Sequence, residues 1–281
     1  MTLEPATPLK ALLDNGSPLT FYDSGATCPD AQTILLIHGT GGSAEGAFWA
    51  LFPMLAMRHR IISFTLTDPA PESATLQPYV DQAVAVIQAA SPGHPVHVVG
   101  YSFGAVIAAK LAASHGDLVA SLTLIAGWLK TDVQQLLRND TWTQMERENS
   151  PALAPFTVYT TYSQRFLATK NAAEMQALLE AASNGEARRV KMALNRSVDI
   201  GDELAVITAP ALVIGCTHDI TAPIHHSRLL FGALANSRFA ELDAGHGVVH
   251  ERPAELFNMI ERFVRDPAGT PAGTIFDNAH A

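Results

Sequence analysis

Along the chain, short apolar runs alternate with longer stretches of helical period. The runs fall at 19–22, 33–37, 60–66, 96–99, 121–126, 211–215 and 238–242. Several, such as Ile34-Leu35-Leu36-Ile37, are apolar at every position. That pattern suits strands covered on both faces, as in a parallel sheet between two layers of helices. Helical stretches lie between the runs, at about 45–57, 77–90, 103–115, 224–234 and 254–265. Strand–helix alternation of this kind predicts an α/β fold with a doubly wound sheet.

The rhythm breaks once. After Trp128 no convincing strand occurs until 211. The interval holds helix-like pieces at 132–138, 162–168, 172–183 and 187–196, punctuated by Pro151, Pro155 and Asn184-Gly185. A structureless loop of this length is improbable, so a helical insertion over the sheet is expected. The resulting division is an N-terminal extension at 1–18, a sheet core at 19–128 and 206–265, a cap at 129–205 and a flexible tail at 266–281. The tail is expected because it repeats Pro-Ala-Gly-Thr.

Composition narrows the class. Of 281 residues, 48% are hydrophobic and 16% charged, against roughly 25% charged in an average domain. Such a chain can bury a large core, and disorder is excluded for most of it. The net charge is −9 and no Lys/Arg run stands out, which argues against nucleic acid as a partner. Cys28 and Cys216 are too few for a disulfide framework. No apolar stretch is long enough to span a membrane. The segment Met1-Thr2-Leu3-Glu4-Pro5 shows no basic region followed by an apolar run, so a cytoplasmic setting is expected. The expected partner is a small-molecule substrate, and the oligomeric state stays open.

The sharpest chemical signal is Gly100-Tyr101-Ser102-Phe103-Gly104, which follows a strand and opens a helix. Gly-x-Ser-x-Gly in that context is a nucleophile elbow, whose strained turn lifts the serine hydroxyl above the strand ends. The competing reading is a turn whose serine only caps the helix. A serine hydroxyl needs a general base, and the base needs an orienting partner. His246 stands in a loop straight after the last apolar run, where ligands bind in open α/β sheets. His94, His97, His115, His225 and His226 sit on or beside helices or before a strand and read as surface or capping histidines. His246 and His250 have helical metal-ligand spacing, but no third ligand cluster accompanies them. Asp219 follows the run at 211–215 and takes the orienting role ahead of Asp243, three residues before His246. A developing oxyanion needs N–H donors. Phe103 and Thr40 are the candidates, Thr40 lying in the glycine-rich His38-Gly39-Thr40-Gly41-Gly42. That loop lacks the spacing of a phosphate-cradling motif.

These elements, with Gly245-His246 and the following Glu251-Arg252-Pro253, resemble the α/β-hydrolase family over about residues 19–265. The resemblance implies a mostly parallel central sheet flanked by helices, with the 129–205 insertion as a helical cap. It implies a triad of Ser102, Asp219 and His246 and no cofactor or metal. One departure is Thr67-Asp68-Pro69-Ala70-Pro71-Glu72, where many relatives carry a glycine-containing turn.

The expected function is cleavage of a carboxylic ester, lactone or thioester through an acyl-enzyme on Ser102. The alternatives are acyl transfer or another biosynthetic reaction with the same triad, and a ligand receptor without turnover. Gly39, Tyr101, Trp128, Tyr159 and Tyr162 are expected to line the substrate pocket. Aromatic density and the absence of a basic cluster in the insertion point to an uncharged, fairly hydrophobic substrate.

Overall fold

The computed structural model describes residues 8–26 and 28–276. Its nine strands are β1 (Pro8–Leu12), β2 (Pro18–Asp23), β3 (Thr33–Ile37), β4 (Arg60–Phe64), β5 (Val96–Tyr101), β6 (Val119–Ile125), β7 (Ala211–Cys216), β8 (Ser237–Leu242) and β9 (Ile275–Phe276). They form one sheet in the order β1-β2-β4-β3-β5-β6-β7-β8-β9. β1 and β2 pair antiparallel, β2 joins β4 antiparallel, and the remaining pairs are parallel.

Two helical layers cover the sheet, and β3 shows why its run is apolar throughout. Leu35 and Ile37 pack on one face with Val98, Leu122 and Val213. That layer is built by α3 (Gln77–Ala90) and α4 (Phe103–Ser114), with α10 (Gly201–Leu204) and α11 (Ile224–Ala233). Ile34 and Leu36 pack on the other face with Val99, Ile125 and Ile214. There the cover comes from α1 (Ala44–Ala47), α2 (Leu51–Ala56), α12 (Val248–Glu251) and α13 (Pro253–Arg265). α13 buries Leu256, Ile260, Phe263 and Val264, an i, i+4, i+7, i+8 stripe.

Five helices leave the sheet between β6 and β7: α5 (Val133–Arg147), α6 (Leu153–Thr161), α7 (Gln164–Ala168), α8 (Ala172–Ala182) and α9 (Arg189–Asn195). Backbone bonds stitch the two ends of this excursion together. Thr131 N–H donates to Val198 O at 2.9 Å, and Ile200 N–H to Leu129 O at 2.8 Å. The insertion therefore departs and returns at one place. Pro155, expected as punctuation, lies in the first turn of α6, where a missing N–H costs no helical bond.

Three expectations of organisation need correction. Residues 8–18 are no extension: β1 and β2 form a hairpin at the sheet edge. Leu13–Gly16 makes its turn, Gly16 N–H donating to Leu13 O at 2.8 Å, with Gly16 at φ +79°, a conformation glycine adopts without strain. The segment 266–276 is no free tail: Phe239 N–H donates to Thr274 O at 2.9 Å and Gly273 N–H to Ser237 O at 2.8 Å, so β9 extends the sheet. Residues 1–7 and 277–281 lie outside the described residues. The single helix expected at 45–57 is two short ones. Pro53 has no N–H to continue a helix begun at Ala44, so the chain restarts at Leu51 with the proline in the first turn. Among the described residues no helix is long and apolar enough to cross a membrane.

Candidate active site

Strand order reverses between β3 and β5, and the crevice at the carboxyl ends of such strands is where α/β sheets bind ligands. The loop after β3 supplies Gly39 and Thr40, and the turn after β5 supplies Ser102. Ser102 has φ 56° and ψ −120°, a left-handed backbone that costs a non-glycine residue on the order of 1–3 kcal/mol. Two close approaches hold it there. A Cβ on Gly100 would strike Gly104 O, and one on Gly104 would strike Ile37 O. The serine does not cap α4 with its side chain, which removes the capping alternative. Instead Ser102 Oγ lies 2.7 Å from His246 Nε2.

His246 follows β8, and its Nδ1 lies 2.6 Å from Asp219 Oδ2. A carboxylate only accepts, so Nδ1 carries the proton and Nε2 accepts from the serine hydroxyl. Asp219 Oδ1 accepts from Thr221 N–H at 2.7 Å and Ala222 N–H at 2.8 Å. Both carboxylate oxygens are thus engaged, and the side chain is fully buried. The ring of Tyr101 tilts over that of His246, and its hydroxyl donates to His246 O at 2.8 Å. Burial pushes the Tyr101 hydroxyl far above the usual phenol range, so it stays a donor.

Asp243 is placed elsewhere. It pairs with Arg165 and Arg252 and lies 2.7 Å from His218 Nε2, half exposed. Among the described residues, Thr40 N–H and Phe103 N–H make no hydrogen bond within the protein. The Phe103 ring is core, packed edge-on against Tyr79, so only its backbone is available to the site. Gly39 lies against the serine; a Cβ there would sit 3.0 Å from Ser102 Cβ.

The surroundings fix these loops. His38 Nδ1–H donates to Gly39 O at 2.7 Å, and its Nε2 accepts from Leu66 N–H at 2.9 Å. Burial lowers the His38 pKa to about 4, which keeps the ring neutral in that double role. Glu251 accepts from Ser163 N–H, Ser163 Oγ and Gly245 N–H, tying α7 to the loop that carries His246. Gly247 N–H donates to Thr161 O at 2.7 Å. From α9, Asn195 Nδ2 donates to Thr40 Oγ1 at 3.0 Å. Asp68, in the segment that departs from the usual glycine turn, pairs with Lys191 of α9 and accepts from Tyr79 OH at 2.8 Å.

A cavity of about 340 Å³ opens over Ser102 and His246. Of the residues named from the sequence, Gly39, Tyr101, Trp128 and Tyr162 lie in its wall, together with Thr40. Tyr159 does not: it is 66% exposed on the outer side of α6, because on that short helix the inward positions are Thr157, Val158 and Thr161. The insertion also brings basic residues together, although the sequence shows no basic cluster there. Arg138 and Arg188 face the cavity, with Gln135, Asn139 and Asn195. Gln135, Arg138, Asn139 and Trp142 follow i, i+3, i+4, i+7 on α5. That polar stripe is the signal that could have found them.

Metal-ligand chemistry gathers at one place among the described residues, Asp132 with His225 and His226, whose ligand atoms lie within 4.8 Å of one another. Asp132 Oδ1 already accepts from Gln135 N–H in the capping box of α5. None of the three lines the cavity.

The model of the Alpha/beta hydrolase family matches residues 34–259. The chain belongs to the α/β-hydrolase family. As a member it is a hydrolase-class enzyme with a mostly parallel sheet flanked by helices. It is 26% identical over 242 residues to pyrrolizixenacetamide deacetylase of Xenorhabdus hominickii, covering 82% of this chain and 90% of that one. Its fold is also that of the enol-lactonase from Burkholderia xenovorans LB400 (TM-score 0.77, 20% identity, 92% of this chain and 100% of that one). The esterase from Exiguobacterium antarcticum superposes as well (TM-score 0.78, 16% identity, 92% and 100% covered).

Proposed function

We propose that the protein is a serine hydrolase that cleaves an acyl compound, a carboxylic ester, lactone or thioester, through an acyl-enzyme on Ser102. The observation that carries this reading is the continuous path Ser102 Oγ–His246 Nε2 and His246 Nδ1–Asp219 Oδ2, with both links below 2.8 Å. Ser102, His246 and Asp219 act as nucleophile, base and orienting acid. Ser102 Oγ attacks the carbonyl carbon while its proton passes to His246 Nε2. Asp219 holds the imidazole in the accepting tautomer and stabilises the imidazolium that forms. The N–H groups of Thr40 and Phe103, unclaimed within the protein, receive the oxyanion. Collapse of the tetrahedral intermediate breaks the bond to the leaving group, which takes the proton from His246. Water then loses a proton to His246 as it attacks the acyl carbon. Ser102 leaves and recovers that proton, giving the free acid.

An amide is cleaved by the same steps. The likeness to a deacetylase favours keeping N-acyl compounds beside esters as a second reading. Hydrolysis of 4-nitrophenyl acetate by wild type and Ser102→Ala tests the proposal. Loss on the order of 10⁶-fold is expected by the serine-protease precedent, and full retention overturns it.

A further inference from the structure

Arg138 and Arg188 differ from most other arginines of the chain. Arg60, Arg165, Arg189, Arg196 and Arg228 each pair with a carboxylate. Arg138 and Arg188 pair with none among the described residues, although both line the cavity above Ser102. Arg138 Nη2 donates to Thr160 Oγ1 at 3.1 Å, and its Nε is buried without a partner. Arg188 donates from Nη1 to Ala182 O and from Nη2 to Ala181 O, each at 3.0 Å, at the end of α8. Its Nε is left beside Gly41, where a Cβ would collide with it. Arginine stays protonated in proteins, and a desolvated cation without a counter-charge is costly. Burial and the mutual repulsion of the two groups lower the Arg138 pKa to about 10, with Asp219 opposing, which still leaves it charged at neutral pH. Asp219 makes no direct ion pair with it, since its oxygens bond His246, Thr221 and Ala222.

We propose that the substrate carries a carboxylate, bound by Arg138 and Arg188, several ångströms from the carbonyl attacked by Ser102. The proposal rests on the serine-hydrolase reading of the same cavity and names its substrate class: half-esters, or lactones and thioesters with an acidic tail. A guanidinium fork matches a carboxylate with two parallel hydrogen bonds. Arg138 enters from α5 and Arg188 from the turn before α9, so the anion is gripped from two elements. Asn195 adds a buried Oδ1 without a partner at the same wall, an acceptor suited to a donor on the substrate. A cavity of about 340 Å³ holds a short acyl chain with its leaving group, at the small end of ligand pockets.

The test compares mono-4-nitrophenyl adipate with its neutral terminal amide, with spontaneous hydrolysis subtracted. Wild type should favour the acid at least tenfold in kcat/KM, mainly through KM. Arg138→Gln and Arg188→Gln should each lower kcat/KM for the acid at least tenfold more than for the amide. Arg138→Lys, which keeps the charge but not the fork, should recover part of the preference. Calorimetric titration of the wild type with adipate, adipamide and butylphosphonate needs no turnover and decides the matter if a variant misfolds. Adipate should bind at least tenfold tighter than adipamide. Equal rates on the two esters together with equal affinities overturn the proposal while leaving the serine-hydrolase reading standing. Phosphonate binding tighter than adipate also overturns it. If neither ester is cleaved but adipate binds in an Arg138-dependent way, the carboxylate site stands and the hydrolase reading falls.

Discussion

Asp219 Oδ2 meets His246 Nδ1 at 2.6 Å across 27 residues of sequence, while Asp243, three residues from His246, is turned to Arg165, His218 and Arg252. Chain proximity and spatial proximity point to different acids, and only Asp219 lies within hydrogen-bond reach of the His246 ring. Asp219→Asn should lower kcat by on the order of 10⁴-fold at neutral pH, because an amide holds the imidazole in the wrong tautomer. Asp243→Asn should change kcat by less than about twofold, since Asp243 and its nearest partners, Arg165 and His218, are solvent-exposed. Steady-state kinetics on one ester distinguishes the two. Similar losses in both variants would contradict the assignment.

The glycines of the elbow are required by contact. Gly104→Ala would drive a methyl into the carbonyl of Ile37, and the backbone of a central strand cannot yield as a side chain does. The expected destabilisation is about 3 kcal/mol, the upper end for overpacking, or failure to fold. Gly93, whose Cβ position is open but whose φ is +76°, should cost only about 1 kcal/mol on change to Ala. Urea denaturation of both variants checks the contrast.

Two buried histidines contribute to the acid side of the stability curve. His38 and His97 both have pKa values lowered from 6.5 to about 4 by burial. Between those values the unfolded chain binds more protons than the native one, so stability rises with pH. The contribution is complete above about pH 6.5 and is lost as the pH falls towards 4. Each shift corresponds to roughly 3 kcal/mol at about 1.4 kcal/mol per unit. Unfolding free energy measured from pH 7 to pH 4 should fall steeply. His38→Asn should be less stable at pH 7 by about 1–3 kcal/mol, through the lost bond from Leu66 N–H. It should also show a slope smaller by about one proton.

Glu251 joins Gly245 of the histidine loop to Ser163 of the inserted helices. Glu251→Ala leaves those donors unpaired, at about 1–3 kcal/mol of stability. It should also lower kcat about tenfold or more as His246 loses its fixed position. Glu251→Gln, which keeps one acceptor, should recover part of both. Thermal unfolding and kcat for the two variants check this, and an unchanged kcat in Glu251→Ala would contradict it.

Much of the sheet was legible because burial on two faces writes an unbroken apolar run, as in Ile34-Leu35-Leu36-Ile37. β1 and β9 were harder: they are edge strands, and their residues alternate or are too few to form such a run. Ser102, Asp219 and His246 could be picked out because each follows an apolar run, and strand ends converge in space. The cavity wall was less readable. Arg138 and Arg188 are 50 positions apart and cluster only when α5 and the turn before α9 fold over the sheet. Tyr159 and Tyr162 share a short segment, but Tyr159 faces outward from α6, while Tyr162 lies just past the helix end, where the backbone turns extended (ψ 148°) and its ring reaches the cavity.

The central claim is that Ser102 is an activated nucleophile. Intact-protein mass spectrometry after treatment with a fluorophosphonate tests it directly. One adduct is predicted, mapped to the peptide containing Ser102, with labelling lost in Ser102→Ala and strongly slowed in His246→Ala. Absence of any adduct on folded wild type, or an adduct that persists in Ser102→Ala, would contradict the account.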